Sequence, residues 1–175
     1  MKKLLIVKTG ATYDDIKKSH GDFEDMIIKS SDKAKKHFAI FDARDESQTF
    51  PTPEQYAGII ITGSHDMLTF QEDWMQDLKE WILTIPDTQT PTLGICFGHH
   101  AMAEAFGGEV DYRQWGPEVG YVKVKFNTDA YKDPVFNVLF NKAKVYQYHT
   151  QCVQILPENV QLLGSNNIDY NQVIK

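Results

Sequence analysis

The stretch TLGICFGHH (92–100) constrains this chain more than any other. An apolar run, TLGIC (92–96), passes into a helix-forming run, GHHAMAEAFGG (98–108), with no loop between them. Cys96 stands at the junction, with Gly94 two residues before it and Gly98 two after. A strand that enters a helix this abruptly makes a sharp turn, and only small residues fit beside it. That is the geometry of a nucleophile elbow, and it commits the chain to a buried strand followed by a helix laid back on the sheet. The first N–H groups of such a helix lack intrahelical partners, so the Phe97 N–H is placed to face an oxyanion. The positive end of the helix favours a thiolate on Cys96. The carboxyl end of a strand is also where open α/β sheets hold ligands. The competing reading is a buried structural cysteine between turn glycines.

The rest of the chain supplies the sheet this turn requires. KLLIVKTG (3–10), HFAIFDA (37–43) and YAGIIITGS (56–64) are apolar, β-branched runs that suit parallel strands covered on both faces. DFEDMIIKSS (22–31) has helical spacing at Phe23, Met26 and Ile27. A longer helix is expected after a capping box at Thr69 and Glu72, with Trp74, Leu78, Trp81 and Ile82 on one stripe and Pro86 and Pro91 bracketing its exit. Beyond residue 110 the pattern alternates. GYVKVKF (120–126), KVYQYH (144–149) and VQLLGSNN (160–167) read as half-exposed strands. The expectation is one α/β domain over residues 1–175, with an open, mostly parallel but mixed sheet and helices on both faces.

Composition narrows the partners. The chain has 175 residues and a formal net charge of −6, so nucleic acid and anionic membranes are poor partners. The short basic runs KKSH (17–20) and KAKK (33–36) read as solvated faces or loops. Leu4–Val7 is too short for the apolar core of a signal peptide, and no stretch approaches a membrane span. A cytoplasmic location is expected, with Cys96 and Cys152 reduced. There is no P-loop pattern, and no metal-ligand cluster stands out.

GICFGHH followed by AMAEAFGGEV resembles the class I (triad) glutamine amidotransferases, in particular those similar to the amidotransferase domain of GMP synthetase. GIIITGSHDM (58–67) resembles the family's oxyanion strand and loop, PEVGYVKV (117–124) the segment after its elbow helix, and VYQYHTQCVQILPENVQLLGSNN (145–167) its later strand, histidine loop and following strand. The resemblance implies a flavodoxin-like fold and hydrolysis of the glutamine side-chain amide through a γ-glutamyl thioester, releasing ammonia. Cys96 is then the nucleophile. The N–H of Phe97 and one from the Gly63–Ser64 turn form the oxyanion hole, and Gly120 and Tyr121 line the glutamine pocket. No metal or organic cofactor is implied. The substrate is glutamine or a γ-glutamyl compound, and ammonia goes to solvent or to an accepting synthetase partner. The oligomeric state cannot be read.

Three departures matter. The resemblance places a base, followed two residues later by a glutamate, some 80–95 residues past the cysteine, beyond Lys175. The sequence is thus expected to stop short of its last strand and to work poorly as given. His100 stands where the family usually has a substrate-contacting Gln, and Gly63-Ser64-His65 replaces Gly-Gly-Pro or Gly-Ser-Pro. His149 falls on a loop that the family places near the pocket, so it is a candidate substrate contact or, less favoured, a substitute base. His65, His20 and His37 have no assigned chemistry, and Cys152 reads as structural. The alternatives to an amidotransferase are a γ-glutamyl peptidase of the same fold, which His100 favours, and a non-catalytic binding or regulatory relative.

Overall fold

The computed structural model describes residues 1–139 and 144–175. They fall into two compact units, Met1–Phe106 and Gly107–Lys175.

In chain order the first unit is β1 (Leu4–Lys8), α1 (Asp14–His20), α2 (Phe23–Ser30), β2 (Phe38–Asp42), β3 (Gly58–Ile61), α3 (Asp73–Thr88), β4 (Thr92–Gly94) and α4 (Phe97–Ala105). The four strands form one parallel sheet in the order β2-β1-β3-β4. β1 lies inside it, and Leu5, Ile6 and Val7 are all buried, as a continuous apolar run requires. Successive side chains point to opposite faces. Ile6 packs with Phe38 and with Ile28 of α2 on one face. Val7 is in register with Ile61, on the other face, and there the Ile61 backbone meets Gly98 of α4. Helices therefore cover both faces, as expected.

α3 buries Trp74, Met75, Leu78, Trp81, Ile82 and Ile85, which include the whole predicted stripe. Burying each large side chain contributes about 1.5–3 kcal/mol before its ordering entropy is subtracted. The helix start corrects the sequence reading. Thr69 sits in a 3-10 turn (Leu68–Phe70), and Glu72 is the N-cap residue of a helix with no side-chain cap. The Glu72 carboxylate instead accepts the Trp74 indole N–H at 2.6 Å. Pro86 lies in the last turn of the helix, Gln89 ends it in the left-handed conformation and Pro91 follows, so the two prolines bracket the exit as expected. α1 was not anticipated: DDIKKSH carries one apolar residue and buries none.

The second unit is built from short antiparallel pieces: β5 (Glu109–Tyr112), β6 (Glu118–Lys123), β7 (Lys125–Phe126), β8 (Lys144–His149), β9 (Gln151–Ile155), β10 (Leu162–Ser165) and β11 (Val173–Ile174). β5 pairs with β9, β6 with β8, and β10 with both β7 and β11. The strand expected over 120–126 is divided at the buried Val124, so its two halves join different sheets. β5, β9 and β11 are not among the strands expected from the sequence. No helix among the described residues is long and apolar enough to cross a membrane.

Candidate active site

Cys96 occupies the N-cap position of α4 with φ 52° and ψ −106°, backbone angles that a side-chain-bearing residue rarely adopts. Holding one residue in such a region costs of order 1–3 kcal/mol, so the surroundings must enforce it. They do so through the backbone. Ile95 N–H donates to the Ile61 carbonyl, Gly98 N–H to the Thr62 carbonyl and His100 N–H to the Cys96 carbonyl, each at 3.0 Å. The flanking glycines are required by space. A Cβ on Gly94 would stand 2.6 Å from the Gly98 carbonyl, and one on Gly98 would stand 2.5 Å from the Ile61 carbonyl oxygen. Both contacts are with backbone that cannot move aside alone. Gly98→Ala is therefore expected to destabilise the protein by about 1–3 kcal/mol and to displace the thiol, which denaturant titration and a Cys96 alkylation rate will register.

The loop after β3 comes up against the thiol. A Cβ built on Gly63 would lie 3.4 Å from Cys96 Cβ and 3.9 Å from Sγ, so the turn at 63–64 faces the nucleophile at van der Waals distance. Thr9 and Thr62 tie that turn to the end of β1. Thr9 N–H donates to Thr62 Oγ1 at 3.1 Å, and Thr9 Oγ1–H lies 3.0 Å from the Thr62 carbonyl and 3.2 Å from that of Gly63. Ser64 Oγ donates to Asp66 Oδ2 at 3.0 Å and accepts the Asp66 N–H at 3.0 Å. Gly10 is needed here too, because a side chain on it would overlap Ser64. Cys96, with Phe97 next to it in the chain, thus stands beside Gly63 in the turn that Ser64 continues. One expectation is reversed. Burial pushes the Cys96 thiol above its ordinary value, opposed by a hydrogen bond from the Phe97 N–H, so the resting thiol is held protonated despite the helix end.

Around this centre Phe97 is buried and stacked on Trp74, with ring centroids 5.5 Å apart. His100 is buried on α4, with the His99 ring 5.5 Å from its own. The His65 ring lies 4.3 Å from Tyr13 and 5.9 Å from Phe23.

The strongest electrostatic feature of the first unit went unseen in the sequence. Asp22, buried at the start of α2, receives Lys8 Nζ at 2.7 Å, Lys17 Nζ at 2.9 Å, Thr12 N–H at 2.8 Å and Phe23 N–H at 2.9 Å. Glu24 adds a second carboxylate to Lys8 at 3.0 Å. Burial alone raises the Asp22 carboxyl, but these donors outweigh it and hold the group well below the usual carboxylate range. Lys17, read as part of a solvated run, is one of them. An Asp directly before an amphipathic run is an N-cap signal and could have marked Asp22; nothing in the sequence marks its pairing with Lys8.

Gly120, Tyr121 and His149 belong to the second unit. Gly120 has φ 123°, a conformation that suits glycine. Tyr121 is exposed on β6, 4.8 Å from the Tyr146 ring. His149 donates through Nδ1–H to the Gln151 carbonyl at 2.7 Å, while Nε2 faces Glu118 Oε2 at 2.9 Å and Gln147 Oε1 at 2.8 Å. Glu118, which sequence reasoning passed over, is the centre of this group. It also receives Asn166 Nδ2 at 2.7 Å and Gln172 Nε2 at 2.8 Å, with the Arg113 guanidinium 3.7 Å away. Its place on the inward face of an alternating strand was the available clue. Glu118, His149 and Asp169 bring ligand-type atoms within 4.8 Å of one another, a grouping that was not anticipated. The amide and guanidinium donors around Glu118 suit a carboxylate that accepts hydrogen bonds rather than one that ligates a cation. Burial raises the Asp169 carboxyl. Cys152 is buried on β9, and burial together with the Asp169 charge pushes its thiol up to about 11, as fits a structural cysteine.

With this geometry in view, the comparisons with known proteins agree on one family. The family described as Glutamine amidotransferase class-I matches residues 16–174. YLR126C of Saccharomyces cerevisiae, whose name marks it as a candidate glutamine amidotransferase, is 29% identical over 189 residues, which take in 98% of this chain and 72% of that protein. Gamma-glutamyl peptidase 2 of Arabidopsis thaliana is 26% identical over 153 residues, 85% of this chain and 60% of the relative. Among solved structures, a glutamine amidotransferase from Thermotoga maritima superimposes with a TM-score of 0.74 at 18% identity, covering 100% of this chain and 72% of that one. That likeness shows the fold. The chain thus spans from three fifths to nearly three quarters of the length of the two relatives named by sequence.

Proposed function

Because this chain belongs to the class I glutamine amidotransferases, we propose that it cleaves a γ-glutamyl amide through a thioester on Cys96. The observation that carries the reading is the strained Cys96 backbone, which points the thiol at the Gly63 turn. Strain of this kind persists only where the fold enforces it, and a merely structural cysteine has no use for it.

The steps follow from the residues. The Cys96 sulfur attacks the γ-carbonyl carbon, and the carbonyl oxygen becomes an oxyanion that accepts from the Phe97 N–H and from the turn at Gly63–Ser64. Collapse breaks the C–N bond, and the proton given up by the thiol ends on the departing nitrogen. Water then cleaves the thioester, giving a γ-carboxylate and the free thiol. His100 contacts the γ-glutamyl group in this reading. Ammonia from glutamine passes to an accepting synthetase or to solvent. Because the thiol is held protonated at rest, attack waits on proton removal once substrate is bound.

A second reading, that the amide cleaved belongs to a γ-glutamyl peptide rather than to glutamine, is supported by His100 in place of the usual Gln and by the similarity to an Arabidopsis gamma-glutamyl peptidase. Incubation with glutamine and with γ-glutamyl dipeptides, following glutamate, ammonia and free amino acid, separates the two. A folded protein that cleaves neither, and whose Cys96 resists a glutamine-analogue electrophile, would count against both.

A further inference from the structure

The loop that leaves β1 carries an aromatic surface that the amide chemistry above does not use. Tyr13 is 55% exposed, yet its ring is tilted only 32° against His65 with centroids 4.3 Å apart. Phe23 stands 5.9 Å from the same imidazole. His65 follows Gly63 by two residues, and the Cβ position of Gly63 is 3.9 Å from the Cys96 sulfur. Two peptide steps span at most about 7 Å, so the imidazole begins within reach of a side chain on the amine that leaves the acyl carbon attacked by Cys96.

The surface is also firmly mounted. Thr12 N–H is held by buried Asp22 at 2.8 Å, Phe23 N–H by the same carboxylate at 2.9 Å, and Gly10 lies tight against Ser64. The two loops that bear Tyr13 and His65 are thereby fixed to each other and to the turn that faces the thiol. Rigid aromatic rings on fixed loops suit the recognition of another flat group, which they meet with little loss of freedom.

We propose that Tyr13 and His65 form a stacking shelf that selects γ-glutamyl amides whose leaving amine carries an aromatic group. The inference rests on the amide-cleaving reading given above and adds to it the chemistry of the leaving group. For γ-glutamyl-phenylalanine the C–N bond breaks, the water oxygen ends in the γ-carboxylate of glutamate, and phenylalanine departs with the proton.

The test compares kcat/KM for γ-glutamyl-phenylalanine and γ-glutamyl-alanine in the unaltered protein and in Tyr13→Phe, Tyr13→Leu and Tyr13→Ala. The unaltered protein is expected to prefer the phenylalanine compound, and Tyr13→Phe to keep the preference. Tyr13→Ala and Tyr13→Leu are expected to reduce the ratio about 2- to 12-fold, the size of one ring–ring contact. The leucine variant keeps the apolar bulk, so it reports on the ring even if the alanine variant folds poorly. A ratio that no variant moves overturns the shelf while leaving amide cleavage standing, and so does a uniform fall on both substrates. Absence of any turnover, together with an unlabelled Cys96, overturns the amide reading and the shelf with it.

Discussion

Cys96→Ala is expected to remove amide hydrolysis by at least about 10³-fold, without loss of stability. Groups that act as one catalytic unit fail together, so removing the nucleophile alone costs as much as removing the set. Stability should stay nearly unchanged, because alanine keeps the Cβ and removes only the sulfur, while the backbone hydrogen bonds that hold the turn remain. Cys96→Ser is expected to be nearly as inactive, since a serine hydroxyl is a far weaker acid than a thiol and needs a base poised at the site. The pH dependence has a definite sign. Burial places the Cys96 thiol above its ordinary value of 9.0, and only the thiolate is nucleophilic. Alkylation of the resting protein by a small electrophile should therefore climb steadily from pH 7 and show no plateau below 9. A plateau near neutrality would mean that the helix end outweighs burial. Glutamate release by the variants and an iodoacetamide rate profile are the two measurements.

Asp22→Ala is the substitution expected to cost most in stability, about 3–5 kcal/mol, because it strands the ammonium of Lys8 in a nearly buried position. The Lys8 side chain is 11% exposed and that of Asp22 1%, so solvent cannot replace the lost partner. Glu24 softens the loss by keeping one carboxylate on Lys8, which sets the lower end of the range. Asp22→Asn separates charge from hydrogen bonding, since the amide still accepts from Thr12 and Phe23 but no longer neutralises Lys8. Acid sharpens the test. The folded Asp22 carboxyl sits well below its unfolded value of 3.8, so its contribution is present above that value and is lost as pH falls through the folded one. Urea titrations at pH 7 and pH 3 should show a wide gap between the unaltered protein and Asp22→Asn at the higher pH and a narrower one at the lower. Equal gaps would mean that Asp22 works through geometry alone.

The readable parts of the sequence were those where the local signal and the tertiary role coincide. β1 and β3 are continuous apolar runs because both of their faces are covered, and the Gly94–Gly98 spacing is visible because backbone contact leaves room for nothing larger. α3 showed its stripe but not its start, since Thr69 and Glu72 have the right spacing for a cap, while the Trp74 indole engages the carboxylate. α1 was missed because DDIKKSH has no apolar face; it serves instead to bring Lys17 to Asp22. The polar centres were the least legible. Lys8 and Asp22 are 14 residues apart, and Glu118 and His149 are 31 apart; no local pattern records which of many charged residues meet. The thiol's acidity was misjudged for a related reason, because the helix end is visible in the sequence and the burial that overrides it is not.

The first compact unit is one unbroken run of chain, Met1–Phe106. It contains the thiol, the turn that faces it, the Asp22 cluster and the Tyr13–His65 pair. During synthesis these leave the ribosome before any residue of the second unit, and domains generally fold N-terminal first. β4, the strand that delivers Cys96, is the last of the four sheet strands to be made, and the hydrogen bonds that hold the elbow run to the end of β3, so the strain cannot be imposed until β4 lies against β3. The nascent protein therefore carries an unstrained thiol for as long as its sheet is incomplete, and the reactive conformation arrives together with the fold that protects it.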